Sequence, residues 1–172
     1  LNHINLWLLR DKGGWVIVDT GVDTNTSREI WQKVFSGPMA GDPATHVIAT
    51  HLHPDHVGCA DWLVHQFDVD LWMTREEYML CRVLISDTGR EAPEEGVRFY
   101  KAAGFSDEQL ANYRANFGMF GKFVKSMPDA YKRMVDGEHL SFAGHDWEVI
   151  VGRGHSPEHA CLYDEQRNIL IS

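Results

Sequence analysis

The sequence predicts an α/β layered fold, and three observations carry that expectation. Short apolar strand-like segments alternate with helix-like ones through the first part of the chain, in β-α-β-α-β order. A dense group of ionisable residues follows one of those strands at once, where open α/β sheets place their sites. Strand character then resumes after residue 138, beyond a long segment rich in helix formers.

Each element has its own signal. Residues 5–9 and 14–19 read as two strands, with Asp11-Lys12-Gly13 as a hairpin turn between them. Thr26-Ser27-Arg28-Glu29 has capping-box spacing and predicts a helix through about Phe35, closed by Gly37 and Pro38. Residues 45–50 form a short apolar strand. Residues 57–67 read as a helix with Ala60, Leu63, Val64 and Phe67 on one face, and residues 69–73 return as a strand. Residues 75–135 lack strand-like alternation. Ser106-Asp107-Glu108-Gln109 is a second capping-box signal there, and Gly89, Pro93, Gly104 and Pro128 punctuate the segment. Two to four helices are expected, as an insertion between strands. Residues 139–142 and 146–151 read as strands around Ala143-Gly144-His145, and residues 160–163 and 169–171 as two more around Asp164-Glu165-Gln166.

At 172 residues and 44% hydrophobic, the chain suits a single domain, residues 1–172, with its own core. No apolar run approaches the roughly 20 residues of a membrane span, and no signal peptide is visible at Leu1-Asn2-His3-Ile4-Asn5. Both ends read as cut. The net charge of −9 opposes general binding to nucleic-acid backbones, which relies on cationic side chains. Cys59, Cys81 and Cys161 are widely spaced and odd in number, which argues against a disulfide framework. They are expected as small buried residues in a reducing, cytoplasmic setting. A small-molecule substrate is the expected partner.

The chemistry is concentrated in Thr50-His51-Leu52-His53-Pro54-Asp55-His56-Val57-Gly58. Neutral imidazole is the commonest side-chain ligand for first-row metals, and carboxylate oxygen complements it. In an extended segment residues two apart point the same way, so His51 and His53 can reach one ion. Asp55 and His56 project differently from the next turn, which suits a second ion. Gly58 allows close approach of neighbouring backbone. His155, in Gly152-Arg153-Gly154-His155-Ser156-Pro157, follows a strand and is placed to complete three-nitrogen coordination. The chain has ten histidines, and His3, His46, His65, His139, His145 and His159 have no ligand spacing. They are expected to face solvent or make hydrogen bonds.

The HxHxDH run after a strand resembles the defining motif of the metallo-β-lactamase fold superfamily. Asp19-Thr20-Gly21 and Gly154-His155-Ser156-Pro157 are similar to two further segments of that family. The resemblance runs from about Leu6 to Ser172, with residues 75–135 as an extra. It implies a metallo-β-lactamase-like αββα sandwich, with His51, His53 and His155 on a first metal and Asp55 and His56 on a second. The family's bridging carboxylate and last histidine are expected beyond Ser172. Glu158 stands where many relatives have Gly.

The implied activity is hydrolysis by zinc-activated water, with Asp55 orienting the attacking group. Iron and manganese are alternative metals. The Gly-His-Ser-Pro segment resembles the glyoxalase II group and points to a thioester of small-molecule size. That group's substrate-binding helices follow the fold, whereas here a helical block interrupts it. Lactonase or β-lactamase activity, phosphodiester cleavage, sulfur dioxygenation at a single iron, and metal binding without turnover are the alternatives. Asp19 is expected to hydrogen-bond the loop carrying the cluster. Phe117, Met119, Phe120, Phe123 and Met127 recur at helical spacing, as a core for the insertion or as a lid over the metal pocket. Lys122, Lys125, Lys132 and Arg133 are expected on solvated faces, with an anionic substrate tail as the sharper alternative.

Overall fold

A computed structural model of the chain describes residues 3–172, so Leu1 and Asn2 lie outside the described residues. The first sheet has five strands in the order β1 (Trp7–Asp11), β2 (Gly14–Val18), β3 (Ala44–Ile48), β4 (Leu71–Met73) and β5 (Lys132–Arg133). β1 and β2 form the expected antiparallel hairpin, and every later pair is parallel. Parallel pairing requires crossovers. α1 (Asn25–Ser36) crosses between β2 and β3, and α2 (Pro54–Val57) with α3 (Ala60–Phe67) between β3 and β4. The second sheet is an antiparallel meander of β6 (His139–Phe142), β7 (His145–Gly152), β8 (His159–Asp164) and β9 (Ile169–Ile171).

Two apolar layers join these parts. Between the sheets, Val16, Val18 and Ile48 meet Leu140, Phe142, Trp147, Val149 and Leu162. On the other face of the first sheet, Ile17 and Val47 pack against Trp31, Val57, Leu63 and Tyr78 from the helices. Alternation along β2 sends Val16 and Val18 to one layer and Ile17 to the other. The outer face of the second sheet is open among the described residues, with Ile150 40% and Leu170 57% exposed. No helix among the described residues is long and apolar enough to cross a membrane.

Several local expectations are corrected. The N-cap of α1 is Thr24, whose Oγ1 accepts from Ser27 N, two residues before the predicted cap. Thr24 has the extended backbone that an N-cap requires, whereas Thr26 already lies within the helix. The helix predicted over residues 57–67 is broken at Gly58-Cys59 into α2 and α3. The segment after β4 holds α4 (Arg75–Ser86), α5 (Glu94–Ala102), α6 (Asp107–Asn116) with its full capping box, and a 3₁₀ turn at Phe120–Lys122. It also holds a strand that alternation could not reveal. Lys132 and Arg133 pair with Trp72 and Met73 as β5, too short for any period to show.

At the break the Cys59 N–H leaves the helix and donates to the Gly21 carbonyl at 2.9 Å, and Gly58 is closely packed. A Cβ there would lie 2.5 Å from the Pro54 carbonyl oxygen, 2.6 Å from that of Gly21 and 2.7 Å from Asp23 N. The Asp-Thr-Gly loop therefore presses directly on the turn that follows the histidine cluster. Gly58→Ala is expected to cost about 2 kcal/mol, lowering the melting temperature by about 4–8 °C. Gly154→Ala, which meets nothing within 4 Å, is expected to melt like the wild type in the same calorimetric comparison.

Candidate metal centre

The histidine loop leaves the carboxyl end of β3, beside the carboxyl end of β2 where Asp19 lies. Asp19 has a left-handed backbone, φ 62°, and its side chain is 1% exposed. That conformation is uncommon for a residue with a Cβ. Here it aims the carboxylate at the loop. Oδ1 accepts from Thr50 N (2.8 Å) and Thr50 Oγ1 (2.9 Å), and Oδ2 lies 2.8 Å from His56 Nδ1. Thr20 adds a backbone bond to the His56 carbonyl at 2.7 Å. The structural role expected for Asp19 is the one it has.

A second buried carboxylate ties the other side. Glu77, in the first turn of α4, is fully buried. Its Oε2 accepts from Leu52 N at 2.8 Å, and its Oε1 accepts from Glu158 N at 2.7 Å. One side chain thus joins the histidine loop to the loop between β7 and β8 that carries His155. Glu158 strengthens the join, accepting from Thr74 Oγ1 on its carbonyl and from Glu76 N on its side chain. Ala160 N also donates to the Thr50 carbonyl at 2.9 Å.

Between these two anchors three imidazoles converge. His51 Nε2 is 2.9 Å from His53 Nδ1, which is 3.0 Å from His155 Nε2. Among the described residues, this is the group whose ligand atoms all lie within 4.8 Å of one another. His51 is 1% exposed. Burial, then the neighbouring His56, His159, His53 and His155, push its pKa down to about 2. Burial and then His155 also push His53 down. Both shifts favour neutral imidazole, the form that ligates metal, and the Nε2 of His51, the Nδ1 of His53 and the Nε2 of His155 lie together. Buried polar atoms nearby, His159 Nε2 and Ser156 Oγ, have no hydrogen-bond partner. The donor set fits a single divalent cation.

Asp55 and His56 stand beside this group. Burial alone lowers the pKa of His56, but the hydrogen bond and charge of Asp19 outweigh it and raise the pKa. With Nδ1 on Asp19, the Nε2 edge of His56 faces Asp55 Oδ2 at 3.8 Å. Cys59 is no nucleophile, since burial raises its thiol to about 11. Cys81 is buried as expected, and Cys161 is half-buried.

Two contributors were not placed in the site from the sequence. His159 stacks on His51 with ring centroids 4.4 Å apart, instead of facing solvent. Its place four residues after His155, on β8, was the available signal. Glu77 lies in Arg75-Glu76-Glu77-Tyr78, which reads as the solvated acidic first turn of a helix. His46, His139 and His145 lie apart from the centre, while His3 lines the cleft that reaches Asp55. His46 packs on Trp72 between the sheets, His139 pairs with Asp146, and His145 lies 3.3 Å from Asp164. The aromatic stripe of the helical segment divides. Phe120 and Met127 join the core, while Phe123 stands at the rim of a cleft that reaches Asp55. Lys125 lies 3.5 Å from Asp23, Lys132 lies 3.7 Å from Asp70, and Lys122 and Arg133 are exposed.

The model of the metallo-beta-lactamase superfamily matches residues 1–172. The chain belongs to this superfamily. A beta-lactamase domain protein from Burkholderia ambifaria has the same fold with a TM-score of 0.85 and 34% identity, over 100% of this chain and 49% of that one. A metallo-beta-lactamase family protein from Thermus thermophilus aligns with a TM-score of 0.71 at 26% identity, over 97% and 52% respectively. Among curated proteins, the acyl-coenzyme A thioesterase MBLAC2 of Bos taurus is 25% identical over 180 aligned residues, covering 99% of this chain and 57% of that protein. The chain spans about half the length of the relatives it matches.

Glu77→Ala leaves two backbone N–H groups without acceptors in different loops, that of Leu52 buried and that of Glu158 partly buried. It is expected to lower unfolding free energy by about 2–4 kcal/mol in urea titration. Glu77→Gln keeps one acceptor oxygen and is expected to fall between the two. Equal stability of all three proteins would remove Glu77 as the tie between the loops.

Proposed function

We propose that the protein containing this chain is a metal-dependent hydrolase acting on thioesters, with zinc as its ion. The observation that carries this reading is the convergence of His51, His53 and His155 from two separate loops, with His51 desolvated and neutral. Membership of a superfamily with hydrolytic members supports hydrolysis, and the acyl-coenzyme A thioesterase relative supports the thioester.

His51 Nε2, His53 Nδ1 and His155 Nε2 are the proposed ligands of one ion. Asp55 and the Nε2 edge of His56 are offered to a second. Zinc held by such a set lowers the pKa of water toward neutrality and polarises a carbonyl oxygen. The chain's own residues supply the rest. Thr50 Oγ1, held by Asp19, lies 2.9 Å from His51 Nδ1 and fixes that ring's orientation. Asp55 lines the cleft with its carboxylate partly open, positioned to accept a proton from the attacking water. No side-chain nucleophile is required.

The test is metal analysis and a hydrolysis screen of the full-length protein. Zinc is expected at one equivalent or more, and thioesters are expected to turn over faster than lactones, β-lactams or RNA. His51→Ala is expected to lose the metal. Asp55→Ala is expected to keep the first ion while kcat falls about 10²-fold or more. Iron alone with oxygen uptake on a persulfide would overturn the hydrolase reading, and a metal-loaded, active His51→Ala would overturn the ligand assignment.

A further inference from the structure

We infer that the apolar cleft beside the metal centre receives the hydrocarbon tail of a medium- or long-chain acyl thioester. This rests on the thioesterase reading and names its substrate class. The cleft has a volume of about 990 Å³, at the upper end of the range for ligand pockets. One wall comes from the chain entering and following β1, where Ile4, Leu6 and Leu8 alternate onto the same face. The other comes from α1, where Ile30, Trp31 and Val34 make a stripe at helical spacing.

The walls present carbon. Trp31 spends its only polar atom on the Thr20 carbonyl, with Nε1 to oxygen 2.8 Å, so its ring faces the cleft without a donor. Ile30 is 55% exposed and Ile4, Leu6, Leu8 and Val34 are half-buried, so the apolar stripes are only partly covered. The polar side chains of the lining are His3, Thr20, Ser27 and Asp55, and Asp55 stands beside the histidine cluster. A molecule lying along it would place a polar group near Asp55 and an apolar tail between α1 and β1. An acyl thioester has that polarity, with its carbonyl at one end of an alkyl chain. A short hydroxyacyl group would leave most of the cleft unfilled.

Hydrolysis of an acyl-coenzyme A series by the full-length, metal-loaded protein tests this, together with calorimetric titration of dodecanoate. Expected are a rise in kcat/KM of about threefold per methylene from acetyl toward dodecanoyl, and saturable dodecanoate binding. Ile30→Gln and Ile30→Trp, both at a half-exposed position, are expected to lower the dodecanoyl-to-acetyl ratio of kcat/KM at least tenfold. Both are also expected to weaken dodecanoate. A flat chain-length profile without dodecanoate binding overturns the tail site and leaves the thioesterase reading standing. Absence of hydrolysis with every thioester, while dodecanoate still binds and Ile30→Gln still weakens it, overturns the thioester as the substrate.

Discussion

The site depends on one carboxylate that touches none of the converging donor atoms. Glu77 accepts a backbone N–H from Leu52 with one oxygen and from Glu158 with the other. Leu52 lies between His51 and His53, and Glu158 lies three residues after His155. The two loops come from different sheets, and ring convergence within about 3 Å requires their backbones to be in register. A buried carboxylate is costly unless its oxygens are satisfied. Glu77 therefore has one low-energy arrangement, with both loops in place.

Asp19 does the same work from the opposite side, with a different emphasis. Glu77 holds backbone N–H groups alone, whereas Asp19 holds the Thr50 N–H and also orients side chains, through Thr50 Oγ1 and His56 Nδ1. Between them lies His51, surrounded by four other imidazoles and nearly shielded from water. Protonating it would put a cation among rings that cannot compensate it. A metal ion can take lone pairs from several neutral rings at once, which a proton cannot, and the arrangement suits such an ion.

Much of this was legible in the sequence, and the parts that were not share a cause. The strands and the α/β order followed from apolar runs and turn residues, because each signal is local. Asp19 was legible through its motif. Glu77 was not, because a glutamate in a helix's first turn looks solvated unless the opposing loop is known. His159 failed likewise, since its role comes from stacking across the site and not from spacing. β5 is two residues long, and its existence is decided by the neighbouring edge of β4. At the break after Gly58, the Cys59 N–H bonds to a loop more than thirty residues earlier in the chain.

The helical segment leaves the first sheet at β4 and re-enters it at the adjacent strand, β5. Such a detour looks exchangeable, because its two ends are neighbours whatever lies between them. Yet Glu77 sits in its first helix, so the block and the histidine-bearing loops share a component. Replacement from α5 onward leaves that component behind, while a graft that begins at α4 removes it. The boundary of the exchangeable module thus lies one helix later than the sheet topology alone suggests.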